Sequence, residues 1–212
     1  MKREIIIASI LGVLTFLLGV SLGYYLVGLE TEKLFMRYEK IKTLVDSALY
    51  YFQEYKTTCE IEDLYILGKK VDNLGYQIAL LENSNNPAKD ATKLELLKSQ
   101  YFNLQYLHYL LAKKQLEQCN QTFNILLYFY LPDKECRECK EQGYQLSHLK
   151  KRHPDKVLIY SFDLRYPNYF IYYYKKKYEI EKAPFIILIN KNSTKIFEGY
   201  TPWEEIDKYL LT

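Results

Sequence analysis

The sequence has few histidines and no strong excess of charge. Its 212 residues include three histidines and have a formal net charge of +3, which leaves room for one modest domain with appendages. So balanced a charge does not indicate a nucleic-acid partner, and we expect none. The histidines, His108, His148 and His153, lack the spacing of a helical metal pair, so we expect neither a metal site of that kind nor a cofactor.

Proline is nearly absent between Glu32 and Cys119, where the one example is Pro87. In this part apolar residues recur at helical spacing in three stretches, which predicts three helices separated by turn-rich breaks. The third stripe consists of Leu94, Leu97, Tyr101, Leu104, Leu107 and Leu111. Short connections between long helices predict antiparallel neighbours, so we expect an antiparallel three-helix region at residues 31–119.

Charged residues are absent from residues 5–29. A hydrocarbon core about 30 Å thick needs roughly 20 helical residues to cross it, so this segment is long enough to span a membrane. We therefore predict that residues 1–30 are an uncleaved single-pass signal anchor, which contacts the bilayer through residues 5–29. A cleaved secretory signal is the alternative, and Gly19-Val-Ser21 is the small-residue site that would suit it.

The positive residues on the two sides of this segment predict opposite orientations in the membrane. Lys2 and Arg3 favour a cytoplasmic N-terminus, but a longer window after the segment contains four positive residues. These are Lys33, Arg37, Lys40 and Lys42. The Gly19-x-x-x-Gly23 spacing permits close approach of two helices, so a homodimer stays open.

The chain has four cysteines, so each pairing is informative. In an up-down-up helical arrangement Cys59 and Cys119 end on the same side, which predicts a structural disulfide between them. Closing a loop of this length would stabilise the fold by roughly 4 kcal/mol in the chain-entropy model. Two unpaired, partly buried thiols are the alternative. A disulfide here would imply an oxidising compartment.

After residue 119 the pattern changes to an alternation of strands and helices. The predicted order is strand, helix, strand, helix, strand, strand, helix. The strands are expected near 123–130, 157–162, 184–189 and from 195 onward, and the helices near 136–152, 169–178 and 203–211. The first helix opens with Cys136-Arg-Glu-Cys139.

Four features of residues 120–212 carry a resemblance to a known family. An apolar strand runs into Cys136-x-x-Cys139 at a helix start, Asp163 follows the second strand, the stretch 177–184 precedes the third, and Gly199 follows the fourth. Together they resemble the thioredoxin superfamily. The resemblance implies an α/β thioredoxin-like domain with a mixed sheet. It also implies a cis bond at Ala183-Pro184, whose neighbouring backbone groups would pair with an extended substrate.

The physical chemistry of the Cys-x-x-Cys segment suits thiol-disulfide exchange. A helix N-terminus favours a thiolate, which is the nucleophile in this reaction. Cys136 lies at the helix end and is expected to attack, while Cys139, one turn inside, resolves the mixed disulfide. Arg137 should lower the pKa of Cys136, whereas Glu135 and Glu138 should raise it.

Departures from the family pattern leave the direction of electron flow open. Glu135 stands where thioredoxins carry Trp, and Arg137-Glu138 replaces Gly-Pro. Leu127 and Tyr128, near where a buried acid is expected, are not acidic.

Three functions from different classes are compatible with this sequence. The first is a membrane-anchored thiol-disulfide oxidoreductase with protein thiols or disulfides as substrates and a membrane or soluble redox partner. The second is a non-catalytic thioredoxin-like binding module with a static Cys136-Cys139 bridge on a helical scaffold. The third is a metal site, for which Cys-x-x-Cys supplies two of four ligands. Cys59 and Cys119 could complete it, but they belong to another predicted domain.

The compartment is predicted from several signals taken together. Besides the anchor and the predicted second disulfide, the chain has two glycosylation sequons, at Asn120 and at Asn192. We therefore expect a single-pass membrane protein with a cytoplasmic N-terminus and an extracytoplasmic C-terminal domain.

Overall fold

A computed structural model describes residues 2–54, 59, 61–82, 91–119 and 121–211. Its elements are α1 (Lys2–Glu54), α2 (Glu62–Glu82), α3 (Ala91–Gln118), β1 (Asn124–Tyr130), α4 (Arg137–Arg152), β2 (Val157–Asp163), α5 (Tyr169–Lys177), β3 (Phe185–Ile189), β4 (Thr194–Glu198) and α6 (Trp203–Asp207). The predicted order of strands and helices after residue 119 is confirmed.

The N-terminal apolar segment is part of one long helix. Helix α1 continues without interruption from the predicted anchor to Glu54. Within it, Ser9–Leu29 has the length and composition of a membrane-spanning helix, with a mean hydropathy of 2.1. A signal sequence near an N-terminus has the same properties. Residues 1–50 pack as one unit and residues 51–212 as a second.

A four-stranded mixed sheet is the centre of the second unit. The strand order is β2-β1-β3-β4, with β1 parallel to β2 and antiparallel to β3, and with β3 antiparallel to β4. The two central strands are buried on both faces, which explains why they appear in the sequence as nearly continuous apolar runs.

Helices cover both faces of the sheet. On one face, α4 and α6 pack through Leu146, Leu149 and Ile206 against Leu126 and Ile186. On the other face, α3 and α5 enclose a core rich in aromatic side chains. This core includes Phe102, Tyr109, Phe129, Tyr160, Phe162, Phe170 and Tyr174. Both faces are therefore closed, as the burial of the central strands requires.

Helices α2 and α3 are antiparallel, and α3 packs directly on the sheet. Gly68 lies against His108, and Gly75 lies against Tyr101, so the residue numbers run in opposite directions along the pair. The core of the α/β domain continues into α3 through Leu111, Ala112 and Leu116. The division of the chain at residues 119 and 120 stays a prediction, but the two sides of that boundary share one core.

Gln105 attaches α3 to the edge strand β2. Its side-chain oxygen accepts from the Ser161 N–H at 2.8 Å, and its side-chain nitrogen donates to the Ser161 carbonyl oxygen at 3.1 Å. The amide therefore satisfies one residue of the exposed edge, which would otherwise be open to another strand.

Cys59 and Cys119 are joined by a disulfide. The Cys59–Cys119 S–S distance is 2.03 Å, and the two Cα atoms are 5.6 Å apart.

Of the two predicted glycosylation sites, Asn192 is exposed between β3 and β4, and Asn120 lies outside the described residues. The use of either site as a glycan acceptor stays a prediction.

Candidate active site

The loop between β1 and α4 places Cys136 at the start of the helix. The Pro132 carbonyl oxygen accepts from the N–H of Glu135 at 2.8 Å and from that of Cys136 at 3.0 Å, which closes the turn. Cys136 is the N-cap residue of α4, and its Sγ accepts from the Cys139 N–H at 3.1 Å. The sulfur therefore takes the position in which a capping oxygen usually satisfies a free N–H of the first turn.

Cys136 and Cys139 are joined by a disulfide, and their Cα atoms are 5.3 Å apart. Cys139 is 3% exposed, whereas Cys136 is half-buried. The Leu131 N–H points at the Cys139 sulfur from 3.5 Å. An incoming reactant would therefore meet Cys136 first, and when the pair is reduced the helix N-terminus favours the charged form of that thiol.

The peptide bond between Ala183 and Pro184 is cis, and it lies beside this pair. The Ala183 carbonyl oxygen is 3.5 Å from the Cys136 sulfur. The Pro184 carbonyl oxygen accepts from the Gly199 N–H at 2.8 Å, which connects the start of β3 to the end of β4. Cys136 and Ala183 are 47 residues apart in sequence, yet the fold places them in contact.

The three charged residues of the predicted tuning set are all exposed. Glu135 pairs with Arg165 at 3.0 Å, and Arg137 pairs with Glu141 at 3.6 Å. Glu138 lies in the first turn of α4. Glu135 and Arg137 therefore each contact a residue of opposite charge. Arg165 is a charged residue of this site that the sequence did not indicate.

Two further residues, Tyr128 and Gln142, form hydrogen bonds with backbone groups at the site. The Tyr128 hydroxyl donates to the Cys139 carbonyl oxygen at 2.5 Å, and burial raises the pKa of that hydroxyl well above its usual range. Gln142 is fully buried, and its amide pairs with the Thr201 N–H at 2.7 Å and with the Thr201 carbonyl at 3.0 Å. The spacing of Gln142 from Cys139 and Leu146 places it on the inward face of α4, and that position could have identified it.

The described part of the chain shows no geometry that supports a metal site. There, no three side chains of His, Cys, Asp or Glu are grouped as a metal site would require. The four cysteines form two separate disulfides.

The fold is assigned from three features: the strand order, the helices on both faces of the sheet, and the position of the Cys-x-x-Cys pair at the N-terminus of α4. It is thioredoxin-like. No family model and no curated protein matches the chain.

Several solved structures are similar to part of the chain. Thioredoxin-2, a component of malaria parasite protein secretion machinery, has 20% identity and a TM-score of 0.34, with 40% of this chain and 77% of that chain covered. Chloroplastic thioredoxin z has 15% identity and a TM-score of 0.37, covering 46% and 83%. The thioredoxin Deadhead of Drosophila melanogaster has 17% identity and a TM-score of 0.37, covering 48% and 87%. Because these identities and TM-scores are low, the fold is assigned from the topology of the sheet and not from these similarities.

Proposed function

We propose that this chain is a membrane-anchored thiol-disulfide oxidoreductase that exchanges disulfides with protein substrates through Cys136 and Cys139. One observation carries the proposal. The half-buried Cys136 and the buried Cys139 are bonded at a helix N-terminus, so Cys136 can exchange with a substrate while the Cys139 sulfur is close enough to resolve the mixed disulfide.

In the reducing direction, the Cys136 thiolate attacks one sulfur of a substrate disulfide. A Cys136–substrate disulfide forms, and the other substrate sulfur leaves as a thiolate that takes a proton. The Cys139 thiol then loses its proton, and its sulfur attacks Cys136. The Cys136–Cys139 bond forms, the second substrate thiol is released, and two electrons have passed to the substrate. The same steps in reverse oxidise a substrate dithiol.

The Ala183 backbone is the proposed contact for the substrate chain. Its carbonyl oxygen lies 3.5 Å from the Cys136 sulfur, so an extended segment that presents a disulfide to Cys136 would pass directly beside it. A backbone N–H of the substrate would donate to this oxygen, in the manner of an added strand. Such a contact depends on backbone atoms and suits substrates of different sequence.

The proposed location follows from the anchor and the second disulfide. Residues 5–29 would hold the protein in the bilayer, with a cytoplasmic N-terminus and an extracytoplasmic C-terminal domain. The Cys59–Cys119 bond supports an oxidising compartment. A membrane or soluble redox partner would restore the Cys136–Cys139 pair after each cycle, and the potential of that partner would set the direction.

Covalent trapping of substrates tests this function. Full-length Cys139→Ala protein should form mixed disulfides through Cys136, visible as high-mass species that dithiothreitol removes. The matched Cys136→Ala variant should form none, because Cys139 is 3% exposed. If neither variant captures a protein, the binding module with a static Cys136-Cys139 bridge is the better description.

A further inference from the structure

Arg165 connects two carboxylates beside the Cys136 loop. Its Nη1 donates to Glu135 Oε1 at 3.0 Å. Its Nη2 and Nε donate to the two carboxylate oxygens of Asp163 at 3.0 and 3.3 Å, and its backbone N–H donates to Asp163 Oδ1 at 2.9 Å. These bonds hold the guanidinium between the two carboxylates, with its Nη1 facing Glu135.

The topology of the sheet explains why these residues meet. Asp163, the last residue of β2, is opposite Tyr130, the last residue of β1, because the two strands are parallel. The Leu164 N–H donates to the Tyr130 carbonyl oxygen at 2.9 Å, so the two chains leave the sheet side by side. The loop that ends in Glu135 and Cys136 therefore starts next to the loop that contains Arg165.

The charge on Glu135 matters because the next residue is the attacking cysteine. A carboxylate on the neighbouring residue opposes the formation of a thiolate. The guanidinium of Arg165 offsets that charge and also holds the carboxylate toward the β2 loop. The guanidinium of Arg165 is charged at every working pH, and the hydrogen bonds to Asp163 raise its pKa further.

We propose that Arg165 is a positioning residue of the exchange reaction: it binds the Glu135 carboxylate and thereby limits how strongly that charge opposes ionisation of Cys136. The inference rests on the proposed function of the Cys136–Cys139 pair. A lysine cannot replace this arginine fully, because one ammonium lacks the planar fork that contacts both carboxylates.

Other charged or titratable groups also surround Cys136, and the test must separate Arg165 from them. On the Cys136 loop and α4 they are Asp133, Lys134, Glu138, Lys140 and the Arg137–Glu141 pair; on β1 there is Tyr128, and before Ala183 there are Glu181 and Lys182. None of them is changed in the experiment below, so their contribution stays constant between variants.

The test measures the alkylation rate of Cys136 against pH in full-length protein in which the Cys136–Cys139 pair is reduced and the Cys59–Cys119 bond is intact. Iodoacetamide reacts with the thiolate, so the midpoint of the profile reports ionisation. With Arg165→Gln, the thiolate fraction below the midpoint should fall about two- to fivefold, as expected for one charge close by in a mostly aqueous setting. Arg165→Lys should give a smaller loss, and Glu135→Gln should increase the fraction.

The double variant Glu135→Gln with Arg165→Gln shows whether the two residues act together. It should resemble Glu135→Gln alone, because Arg165 acts through the Glu135 carboxylate. A loss from Arg165→Gln that is equally large with and without Glu135 would overturn the proposal. An Arg165→Gln profile that superimposes on wild type would overturn it as well.

Lys156→Gln is the matched control for the loss of one positive charge. Lys156 precedes the first residue of β2, at the opposite end of that strand from Asp163. Seven residue steps along a strand span about 23 Å, well beyond the screening length of about 8 Å at physiological salt. This variant should leave the profile unchanged, and a shift as large as that of Arg165→Gln would contradict the proposal.

The alkylation readout needs no substrate, so the two ideas can fail separately. If Arg165→Gln shifts the profile but Cys139→Ala traps no protein, the coupling of Arg165 to Cys136 is correct and the exchange function is wrong. If trapping succeeds and the profile does not move, the exchange function is correct and Arg165 has no positioning role.

Discussion

Acid should weaken the packing of α3 through one buried histidine. The His108 Nε2 lies 2.8 Å from the Leu64 carbonyl oxygen, and its Nδ1 lies 2.7 Å from the Tyr160 hydroxyl. The carbonyl only accepts, so we assign the proton to Nε2 and let Nδ1 accept from Tyr160. The neutral ring therefore connects α2, α3 and β2. A second proton would reverse the direction of the Tyr160 hydrogen bond and would place a positive charge in a buried site.

The size of the effect follows from the pKa of His108. Burial lowers this pKa from 6.5 to about 4, with the Leu64 hydrogen bond acting in the opposite direction. Between these values the unfolded chain binds a proton that the folded chain does not, so the free energy of unfolding falls as the pH falls. At about 1.4 kcal/mol for each pKa unit, the total loss between pH 7 and pH 4 is about 3 kcal/mol.

The measurement is urea unfolding at several pH values from 7 to 4, for wild type and for His108→Gln. A glutamine amide can still donate to Leu64 and does not titrate in this range. The variant should be less stable at pH 7 but should lose about 3 kcal/mol less than wild type on acidification. Equal pH dependence in the two proteins would refute the assignment of a neutral, buried His108.

Two further predictions concern bonds far from the reacting sulfurs. The Cys59–Cys119 bond closes a loop with a sequence separation of 60, so replacing both residues by Ser should lower the free energy of unfolding by about 4 kcal/mol; a loss below 1 kcal/mol would show that the loop is constrained in other ways. Gln142→Ala leaves two buried backbone groups of Thr201 unpaired and should cost about 2–3 kcal/mol, whereas the exposed control Ser147→Ala should be nearly neutral. Equal costs in urea unfolding would contradict the role of Gln142.

The strands and the reacting pair were predictable because their signals are local. Strand β1 is buried on both faces, and its apolar run is visible without knowledge of its neighbours. The Cys136-x-x-Cys139 spacing places two sulfurs one helical turn apart in any helix that starts there. The Cys59–Cys119 pairing was predicted from helix lengths and connections, with two unpaired thiols as the alternative.

The burial of α3 was not predictable from its apolar stripe. The stripe indicates one covered face, but α3 lies between α2 and the sheet and also buries Gln100, Gln105 and His108. Gln105 and His108 form hydrogen bonds with Ser161 and Leu64, which are distant in sequence. A polar side chain in a helix does not reveal such a partner, so the sequence does not show which polar residues of α3 are buried.

Arg165 was missed for a similar reason. It is an exposed arginine in a loop with no recognisable motif, and it meets Glu135 across a sequence separation of 30. The contact exists because two parallel strands end at the same edge of the sheet. The register of β1 and β2 must be known before the two loops can be placed together.

The most direct test of the exchange function is a single-turnover measurement on the full-length protein. The chain is reduced with dithiothreitol, freed of reductant and mixed with excess insulin as a disulfide-bonded probe. If the pair acts as a reductant, one insulin disulfide should be reduced for each chain, at the same rate at which the Cys136–Cys139 bond forms; if it acts as an oxidant, the oxidised chain should form one disulfide in reduced insulin instead. Cys136→Ala should complete neither reaction. A Cys136–Cys139 bond that resists dithiothreitol, or a pair that exchanges with insulin in neither direction, would contradict the account.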